Sequence, residues 1–192
     1  YKRQPLSVRM EKSKIDLSLL RRKYNLAPDQ RVLLYVGRID NNKGVSALMQ
    51  AFSKIDNLGN VVLWIVGDGD YSCCLKYINE NNWSKITFWG FQPTVILSEM
   101  YSISEFGVLP SFYEEFGLVA VEMMASGLPI IVRNTTGLKD IVEEGKWGDL
   151  FTDSNNELSL YNIMRQRLLN PRNASFKLSL IHISEPTRPI SI

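Results

Sequence analysis

The feature that most constrains the fold is a series of five short apolar runs, separated by stretches with helical spacing. Runs that are apolar throughout, without polar alternation, are typical of parallel strands covered on both faces. Strand and helix alternate along the chain, which predicts an α/β domain with a Rossmann-like, doubly wound parallel sheet. The predicted strands are RVLLYVG (31–37), VVLWIVG (61–67), ITFWG (86–90), FGVLP (106–110) and PIIV (129–132).

Helical patterns fill the segments around these strands. Apolar residues from Val45 to Ile55 follow helical spacing and form one amphipathic face. A chain of 192 residues that is 45% hydrophobic is long enough to bury one sizeable core. We therefore predict a linker and a leading helix within residues 1–30, followed by a single domain over residues 31–170. The remaining predicted helices span residues 71–81, 94–103, 117–126, 138–143 and 157–169.

Charge and cysteine content exclude several classes of protein. The net charge is +2 with no long run of one sign, which argues against a nucleic-acid partner and against a polybasic membrane patch. No apolar stretch approaches the roughly 20 residues that span a bilayer. Cys73 and Cys74 are adjacent and lack metal-ligand spacing, which favours a reduced, cytoplasmic protein. The opening YKRQPLSVRM lacks an initiator methionine and indicates a fragment.

The end of the chain has an unusual sequence. Residues 178–188, LSLIHISEPTR, resemble the translation of a transposase adapter used in preparing sequencing libraries. This match predicts that residues 178–192 are a non-native tail, and it removes His182, the only histidine, from any catalytic role. The alternative is a genuine edge strand over KLSLIHIS, whose residues alternate suitably.

Two cations follow the first predicted strand, in GRIDNNKG. Gly37 permits a tight exit from the strand, Arg38 provides a forked cation, and Lys43 provides a second cation where the next helix opens. Ligands of open α/β sheets bind at the carboxyl ends of the strands. Arg38 and Lys43 either clamp a pyrophosphate there or are ordinary surface charges on a solvated loop.

Two aspartates follow the second predicted strand, in VGDGD. Asp68 and Asp70 form a D-x-D pattern that could hold a divalent metal bridging a nucleotide diphosphate. The alternative, which we favour, is a glycine-rich turn in which Asp70 caps the next helix.

Two glutamates, seven residues apart, frame a third helix start in PSFYEEFGLVAVEMMASGLP (110–129). Glu114 precedes the predicted helix, Gly117 opens it, and Glu122 lies inside its apolar run. A helix amino terminus favours anions. We expect Glu122 to be buried, and a buried carboxylate needs donors such as the two hydroxyls of a vicinal diol. The alternatives are a buried ion pair for Glu122 and a capping role for Glu114.

Together these stretches resemble the donor half of retaining glycosyltransferases with the GT-B fold, in order and spacing. This family, glycosyl transferases group 1 or glycosyltransferase family 4, includes glycogen synthase, sucrose synthase and bacterial lipopolysaccharide and capsule transferases. The resemblance covers about residues 31–151 and rests on LLYVGRIDNNKGV, LWIVGDGD, ITFWGF and PSFYEEFGLVAVEMMASGLPIIV. It implies that residues 31–170 form the second of two Rossmann-like domains and bind a UDP- or GDP-linked sugar.

The resemblance also implies catalytic roles for three residues. Arg38 and Lys43, beside Gly37, hold the diphosphate and stabilise charge on the leaving group, and Glu114 contacts hydroxyls of the transferred sugar. It implies retention of anomeric configuration by same-face attack, with no cofactor and no metal, so that the D-x-D is a turn. The acceptor, a glycan or a lipid-linked sugar, would bind the missing N-terminal domain. The full-length enzyme would be cytoplasmic, with peripheral association at the inner face of the membrane.

The remaining implied contacts concern the backbone and the nucleoside. Glu122 would take the ribose diol, and Thr136 stands where the family often has a second glycine near the phosphates. Backbone groups would meet the sugar-phosphate and the nucleobase edge at Phe116, Gly117 and Leu118 and at residues 89–91, from Trp89 to Phe91.

Three other functions compete with this interpretation. A retaining glycosidase would use Glu114 and Glu122 as acid and nucleophile, about 5 Å apart, but would leave the cationic clamp idle. A metal-dependent glycosyltransferase, with the other common fold of these enzymes, would use Asp68 and Asp70. A non-catalytic nucleotide-sugar-binding module would need only the clamp and the acids.

Overall fold

The computed structural model describes residues 16–55, 58–114, 117–135, 137–142, 148–153 and 159–170. Its centre is a six-stranded, wholly parallel sheet with strand order β3-β2-β1-β4-β5-β6. This order is that of a doubly wound sheet, so the predicted fold class is confirmed. The strands are β1 (Arg31–Val36), β2 (Val61–Val66), β3 (Ile86–Gly90), β4 (Phe106–Leu109), β5 (Ile130–Arg133) and β6 (Gly148–Phe151).

Helices cover both faces of the sheet. One core cluster joins α2, α3 and α7 to strand residues such as Leu33 and Tyr35. The other joins α1, α4, α5 and α6 to alternating residues such as Val32 and Leu34. The helices are α1 (Leu17–Lys23), α2 (Val45–Phe52), α3 (Ser72–Leu75), α4 (Thr94–Ile103), α5 (Leu118–Ala125), α6 (Leu138–Ile141) and α7 (Leu160–Leu169), with a 3₁₀ turn at Trp83–Lys85.

Two elements differ from the sequence prediction. The helix predicted over residues 71–81 is wrong beyond Leu75, where α3 ends. Asparagine side chains take over the local hydrogen bonding there: Asn82 accepts from the Asn79 N–H at 2.9 Å, and Asn79 accepts from the Asn81 N–H at 2.9 Å. Such bonds compete with a continuing helix. Strand β6 was missed because GDLF contains only two apolar residues.

The direction of the chain changes between β1 and β4, the two central strands. From β1 the chain runs outward to β2 and β3, and from β4 it runs outward to β5 and β6. The helices that follow β1 and β4 therefore lie on opposite faces of the sheet, and a crevice forms at the carboxyl ends of these two strands, where open α/β sheets bind ligands. Within the described parts of the chain, no helix is long and apolar enough to cross a membrane.

Candidate functional site

A cleft of about 460 Å³ lies at this switch between β1 and β4. The loop after β1 and the loop after β4 form its two sides, and the start of α5 closes one end. Its polar lining includes Arg38, Lys43, Ser111, Tyr113 and Glu114, together with the backbone at Gly37 and Gly117. The structure thus brings together the predicted cationic pair and the first predicted glutamate.

Lys43 and Glu114 form an ion pair across the cleft. Nζ of Lys43 lies 2.6 Å from Oε2 of Glu114, and each side chain is 25% exposed. The two residues are predicted from the sequence to contact different parts of a ligand, and their contact with each other is visible only in the structure. Since both remain accessible, the pair presents one cation and one carboxylate side by side to any ligand that enters.

The loop after β1 is organised by Asp40, a residue that the sequence analysis missed. Asp40 accepts from the Lys43 N–H at 2.7 Å through Oδ1 and from Nε of Arg38 at 2.6 Å through Oδ2. Burial pushes the pKa of Asp40 up, but the Lys43 N–H and the Arg38 guanidinium outweigh it and hold the pKa below its ordinary value. Aspartate is a common turn residue because its carboxylate accepts from backbone N–H groups a few positions on, so the role of Asp40 could have been predicted.

Arg38 is the more exposed partner of the predicted clamp. Its side chain is 69% exposed and extends along the loop toward Asp40. The buried Tyr35 hydroxyl donates to the Arg38 carbonyl at 2.6 Å and fixes the backbone beneath the side chain. The backbone at Arg38 is therefore anchored while the guanidinium remains available to solvent and to ligands.

The two loops are in direct backbone contact. The Phe112 N–H donates to the Asn42 carbonyl at 2.9 Å. Gly44 adopts the left-handed conformation (φ 68°) before α2, and a Cβ at this position would lie 2.1 Å from the Pro110 carbonyl oxygen. Only glycine satisfies both conditions, so the close approach of the loops depends on Gly44.

The amino terminus of α5 faces the cleft. Gly117 precedes the helix in the left-handed conformation (φ 53°), and both Gly117 and Leu118 line the cleft. First-turn N–H groups have no acceptor within their own helix, and they carry the positive end of the helix dipole. The start of α5 can therefore receive an anionic group.

Glu122 does not have the burial that the sequence analysis predicted. It is exposed, as are Leu118 and Val121 on the same helix, whereas Ala120 and Met123 enter the core. The apolar run suggested burial on all sides, but α5 packs against the sheet with one face only. Glu122 does not line the cleft at Glu114. It accepts a hydrogen bond from the Tyr101 hydroxyl at 3.2 Å, and burial together with the Glu122 charge raises the pKa of that hydroxyl.

A second pocket of about 310 Å³ adjoins the cleft at Gly37 and Arg38. Phe91 and Gln92 form its outer side, and Phe91 is 75% exposed. The Trp89 ring is directed elsewhere: it packs against Trp64 and Tyr24 at centroid distances of 5.1 and 5.6 Å. Of the predicted residues 89–91, Phe91 therefore contributes its side chain to the pocket, while the Trp89 carbonyl accepts from Nε2 of Gln92 at 2.7 Å.

The aspartates after β2 lie in the loop before α3, and Asp70 caps this helix, as predicted. Oδ1 of Asp70 accepts from the Ser72 N–H at 2.9 Å, which caps the first residue of α3. Asp68 lines the second pocket and lies 3.4 Å from the Tyr71 hydroxyl. In the described residues, histidine, cysteine and acidic side chains do not gather in groups of three or more.

Some predicted features lie outside the described residues. They include Phe116, Thr136, the linker before residue 16 and the proposed tail at residues 178–192. The structure adds three residues that were not predicted: Ser111 and Tyr113, which line the cleft, and Arg133, which is buried behind the loop of residues 110–114. Their type and position match no catalytic pattern, so only the fold reveals them.

The sequence matches the profile of a family described as "Glycosyl transferases group 1" over residues 18–177. Among curated relatives, N-acetyl-alpha-D-glucosaminyl L-malate synthase of Bacillus anthracis is 30% identical over 139 residues, which is 71% of this chain and 36% of the relative. The chain spans about a third of the length of the first curated relatives that it matches.

Solved structures share the fold. Sucrose-phosphate synthase from Thermosynechococcus elongatus superposes with a TM-score of 0.70 at 31% identity, covering 80% of this chain and 40% of the enzyme. The Anabaena protein HepE in complex with UDP-glucose gives a TM-score of 0.69 at 25% identity, covering 81% of this chain and 43% of HepE.

Proposed function

Because the chain belongs to the glycosyl transferases group 1 family, we propose that it is the donor-binding half of a retaining glycosyltransferase. Its substrate would be a nucleoside-diphosphate hexose, and the acceptor a glycan or a lipid-linked sugar. The observation that carries this proposal is the Lys43–Glu114 pair, set beside the amino terminus of α5 in the cleft between β1 and β4. The complex of HepE with UDP-glucose supports the choice of ligand class.

The diphosphate occupies the cleft between Arg38, Lys43 and the start of α5. Two cations and a helix dipole provide the positive potential that a pyrophosphate requires. Arg38 swings from Asp40 to the phosphates, which its exposure permits. Lys43 is held at the rim by its backbone bond to Asp40. When the bond from the anomeric carbon to the phosphate oxygen breaks, both cations stabilise the charge that develops on the leaving diphosphate.

The transferred sugar lies next to Glu114. An ionised carboxylate accepts two or more hydroxyl hydrogen bonds, and such charge-assisted bonds are strong. Lys43 lies between Glu114 and the phosphate side of the cleft, so that the sugar and the diphosphate contact adjacent side chains. The acceptor hydroxyl attacks from the same face as the leaving group, which retains the anomeric configuration.

The nucleoside extends from the cleft into the second pocket. Gly37 and Arg38 belong to both cavities, so a ligand can pass from one to the other along this backbone. The base lies against Phe91, and the ribose diol is taken by Glu122 beyond the start of α5. We propose peripheral membrane association only for the full-length enzyme, through its acceptor.

Calorimetric titration with UDP, GDP and ADP tests the donor site directly. We expect one of these nucleotides to bind this chain with 1:1 stoichiometry, and to do so equally well in the presence of a chelator. Lys43→Met should weaken that binding about tenfold, the loss expected for one charged hydrogen bond.

Lys85→Met is the matched control, because Lys85 precedes β3 at the opposite end of the sheet. It should leave the affinity unchanged. A folded sample that binds none of the three nucleotides would refute the donor-site assignment.

A further inference from the structure

Arg133, the last residue of β5, is a buried arginine that lies behind the loop carrying Glu114. Its side chain is only 3% exposed. Nε donates to the Pro110 carbonyl at 3.0 Å, and the guanidinium lies 3.9 Å from the centroid of the Phe112 ring. One side chain thus contacts the first and the third residue of the loop of residues 110–114.

The same guanidinium is anchored on its other side by the edge of the sheet. It lies 4.9 Å from the centroid of the Phe151 ring, at the end of β6, and pairs through Nη1 with Asp153. Arg133 therefore connects the loop to the edge of the sheet formed by β5 and β6. Across the cleft, the loop is held through the Phe112 N–H bond to Asn42.

Stability alone does not explain a buried arginine at position 133. Burying a cation costs desolvation energy, and among the described residues Nη2 of Arg133 has no hydrogen-bond partner. An apolar side chain of similar size would fill the space without this cost. What arginine adds is a planar group that donates in a fixed direction and stacks on an aromatic ring at the same time.

We propose that Arg133 is a positioning residue for the donor site: it holds the loop of residues 110–114 so that the Glu114 carboxylate stands at the cleft. Arg133 does not line the cleft itself, so it acts through the loop. The consequence for sugar binding rests on the proposed function, whereas the effect on the loop does not.

Arg167 offers a matched control. It is a second buried arginine, 6% exposed, paired with an aspartate (Asp149), and its Nη2 also lacks a partner among the described residues. It lies on α7, whose core contacts are on the face of the sheet with α2 and α3. Arg133→Met and Arg167→Met should each lower the melting temperature by a few degrees, because each substitution removes one partner of an ion pair and leaves the aspartate in place.

Hydrogen exchange of the Phe112 amide, measured without ligand, tests the effect on the loop. In Arg133→Met we expect this amide to exchange at least about tenfold faster than in the wild-type chain, because the loop loses its rear anchor. Arg167→Met should leave the rate within about twofold. Equal exchange rates in Arg133→Met and the wild type would overturn the proposal.

The additional affinity that the sugar confers on the nucleotide tests whether Arg133 affects donor binding. For the wild type, this gain is the ratio of the dissociation constants of UDP and UDP-glucose, or of the corresponding pair for the nucleotide that binds. Arg133→Met should reduce the ratio about fivefold, the equivalent of one hydrogen bond, while the affinity for the bare nucleotide should not fall. Arg133→Lys should recover only part of the wild-type ratio, because lysine lacks the planar guanidinium group.

An unchanged ratio in Arg133→Met, with a faster Phe112 amide, would overturn the link between Arg133 and Glu114. Full restoration of the ratio by Arg133→Lys would likewise overturn it, because charge alone would then suffice. If the wild-type chain bound no nucleotide, the proposed function would fail, and the exchange rates would still decide the role of Arg133 in the loop.

Discussion

Nζ of Lys43 contacts Oε2 of Glu114 at 2.6 Å and joins the loop after β1 to the loop after β4. The two residues are 71 positions apart, and they meet because β1 and β4 are adjacent in the sheet. The pair joins the cation proposed for the diphosphate to the acid proposed for the sugar. On the proposed function, a bare diphosphate would compete with Glu114 for Lys43, whereas a nucleotide sugar would engage both residues.

This competition gives Glu114→Gln opposite effects on two ligands. The substitution removes a negative charge beside the diphosphate and frees Lys43, so bare UDP or GDP should bind about threefold to tenfold more tightly. The additional affinity from the sugar should fall, because a neutral amide is a weaker acceptor of hydroxyl bonds. Calorimetry with each nucleotide and its hexose derivative measures both effects.

Glu105→Gln is a suitable control, because Glu105 forms a similar pair with Arg31 at the amino end of the strands. It should change neither affinity. A weaker affinity for the bare nucleotide in Glu114→Gln would contradict the competition between Glu114 and the phosphates.

Glu122→Gln should weaken the binding of nucleoside diphosphates about threefold to tenfold, because the ribose diol loses an ionised acceptor. A buried charged hydrogen bond would contribute about 1.5–3 kcal/mol, but Glu122 is exposed, and the effect should lie at the lower end. Comparison of a ribonucleotide with its 2′-deoxy form isolates the contact: the substitution should affect the ribonucleotide more. Tyr101→Phe, which removes only the neighbouring donor, should have a smaller effect.

Asp40→Asn should reduce stability in a pH-dependent way. The pKa of Asp40 is lowered in the folded protein, so its contribution is fully present above its unfolded pKa and is lost as the pH falls through the folded value. At pH 7 we expect a loss of about 0.5–1 kcal/mol, since Arg38 is largely exposed. Urea unfolding at pH 7 and near pH 3 measures the change, which should shrink toward zero at the lower pH. A constant difference would contradict the role of ionised Asp40.

Gly44→Ala should be strongly destabilising because it combines backbone strain with a collision. The left-handed conformation costs a non-glycine residue about 1–2 kcal/mol, and the new Cβ would meet the Pro110 carbonyl oxygen at 2.1 Å. We expect a total loss of at least about 3 kcal/mol, or roughly 6–12 °C in melting temperature. Gly59→Ala is the control: Gly59 also has positive φ, but its Cβ would meet no atom within 4 Å. Equal losses in both variants would show that the close loop contact is unimportant.

The sequence predicts the fold well because burial on both sides gives parallel strands a simple signature. Residues 31–36 and 61–66 are apolar apart from Arg31, and the structure forms β1 and β2 there. The signature fails for β6, where Gly148 and Asp149 interrupt the apolar pattern. The burial predicted for Glu122 is wrong for a different reason: a run of apolar residues does not show how many faces of a helix are covered.

The sequence predicts which residues enter the cleft better than it predicts their mutual contacts. Strand ends identify Arg38, Lys43 and Glu114, because ligand-binding loops follow strands in this type of sheet. Pairing between Lys43 and Glu114 depends on the approach of two loops that are distant in sequence. Arg133 is hidden for the same reason: its partners Pro110 and Phe151 become neighbours only when β4, β5 and β6 are assembled.

Finally, we expect this chain on its own to bind a nucleoside diphosphate without transferring sugar. The cleft is open along one side, where Tyr113 and Leu118 are each more than 60% exposed, and water entering there weakens each charge interaction. Transfer also requires an acceptor hydroxyl held against the anomeric carbon, and such positioning contributes up to roughly 7–11 kcal/mol. We propose that the other domain of the full-length enzyme provides it. Incubation of the chain with a hexose nucleotide that it binds, in the presence of glycan and lipid-linked acceptors, should yield no glycosylated product by mass spectrometry. Efficient transfer to any acceptor would show that this chain already contains a complete active site.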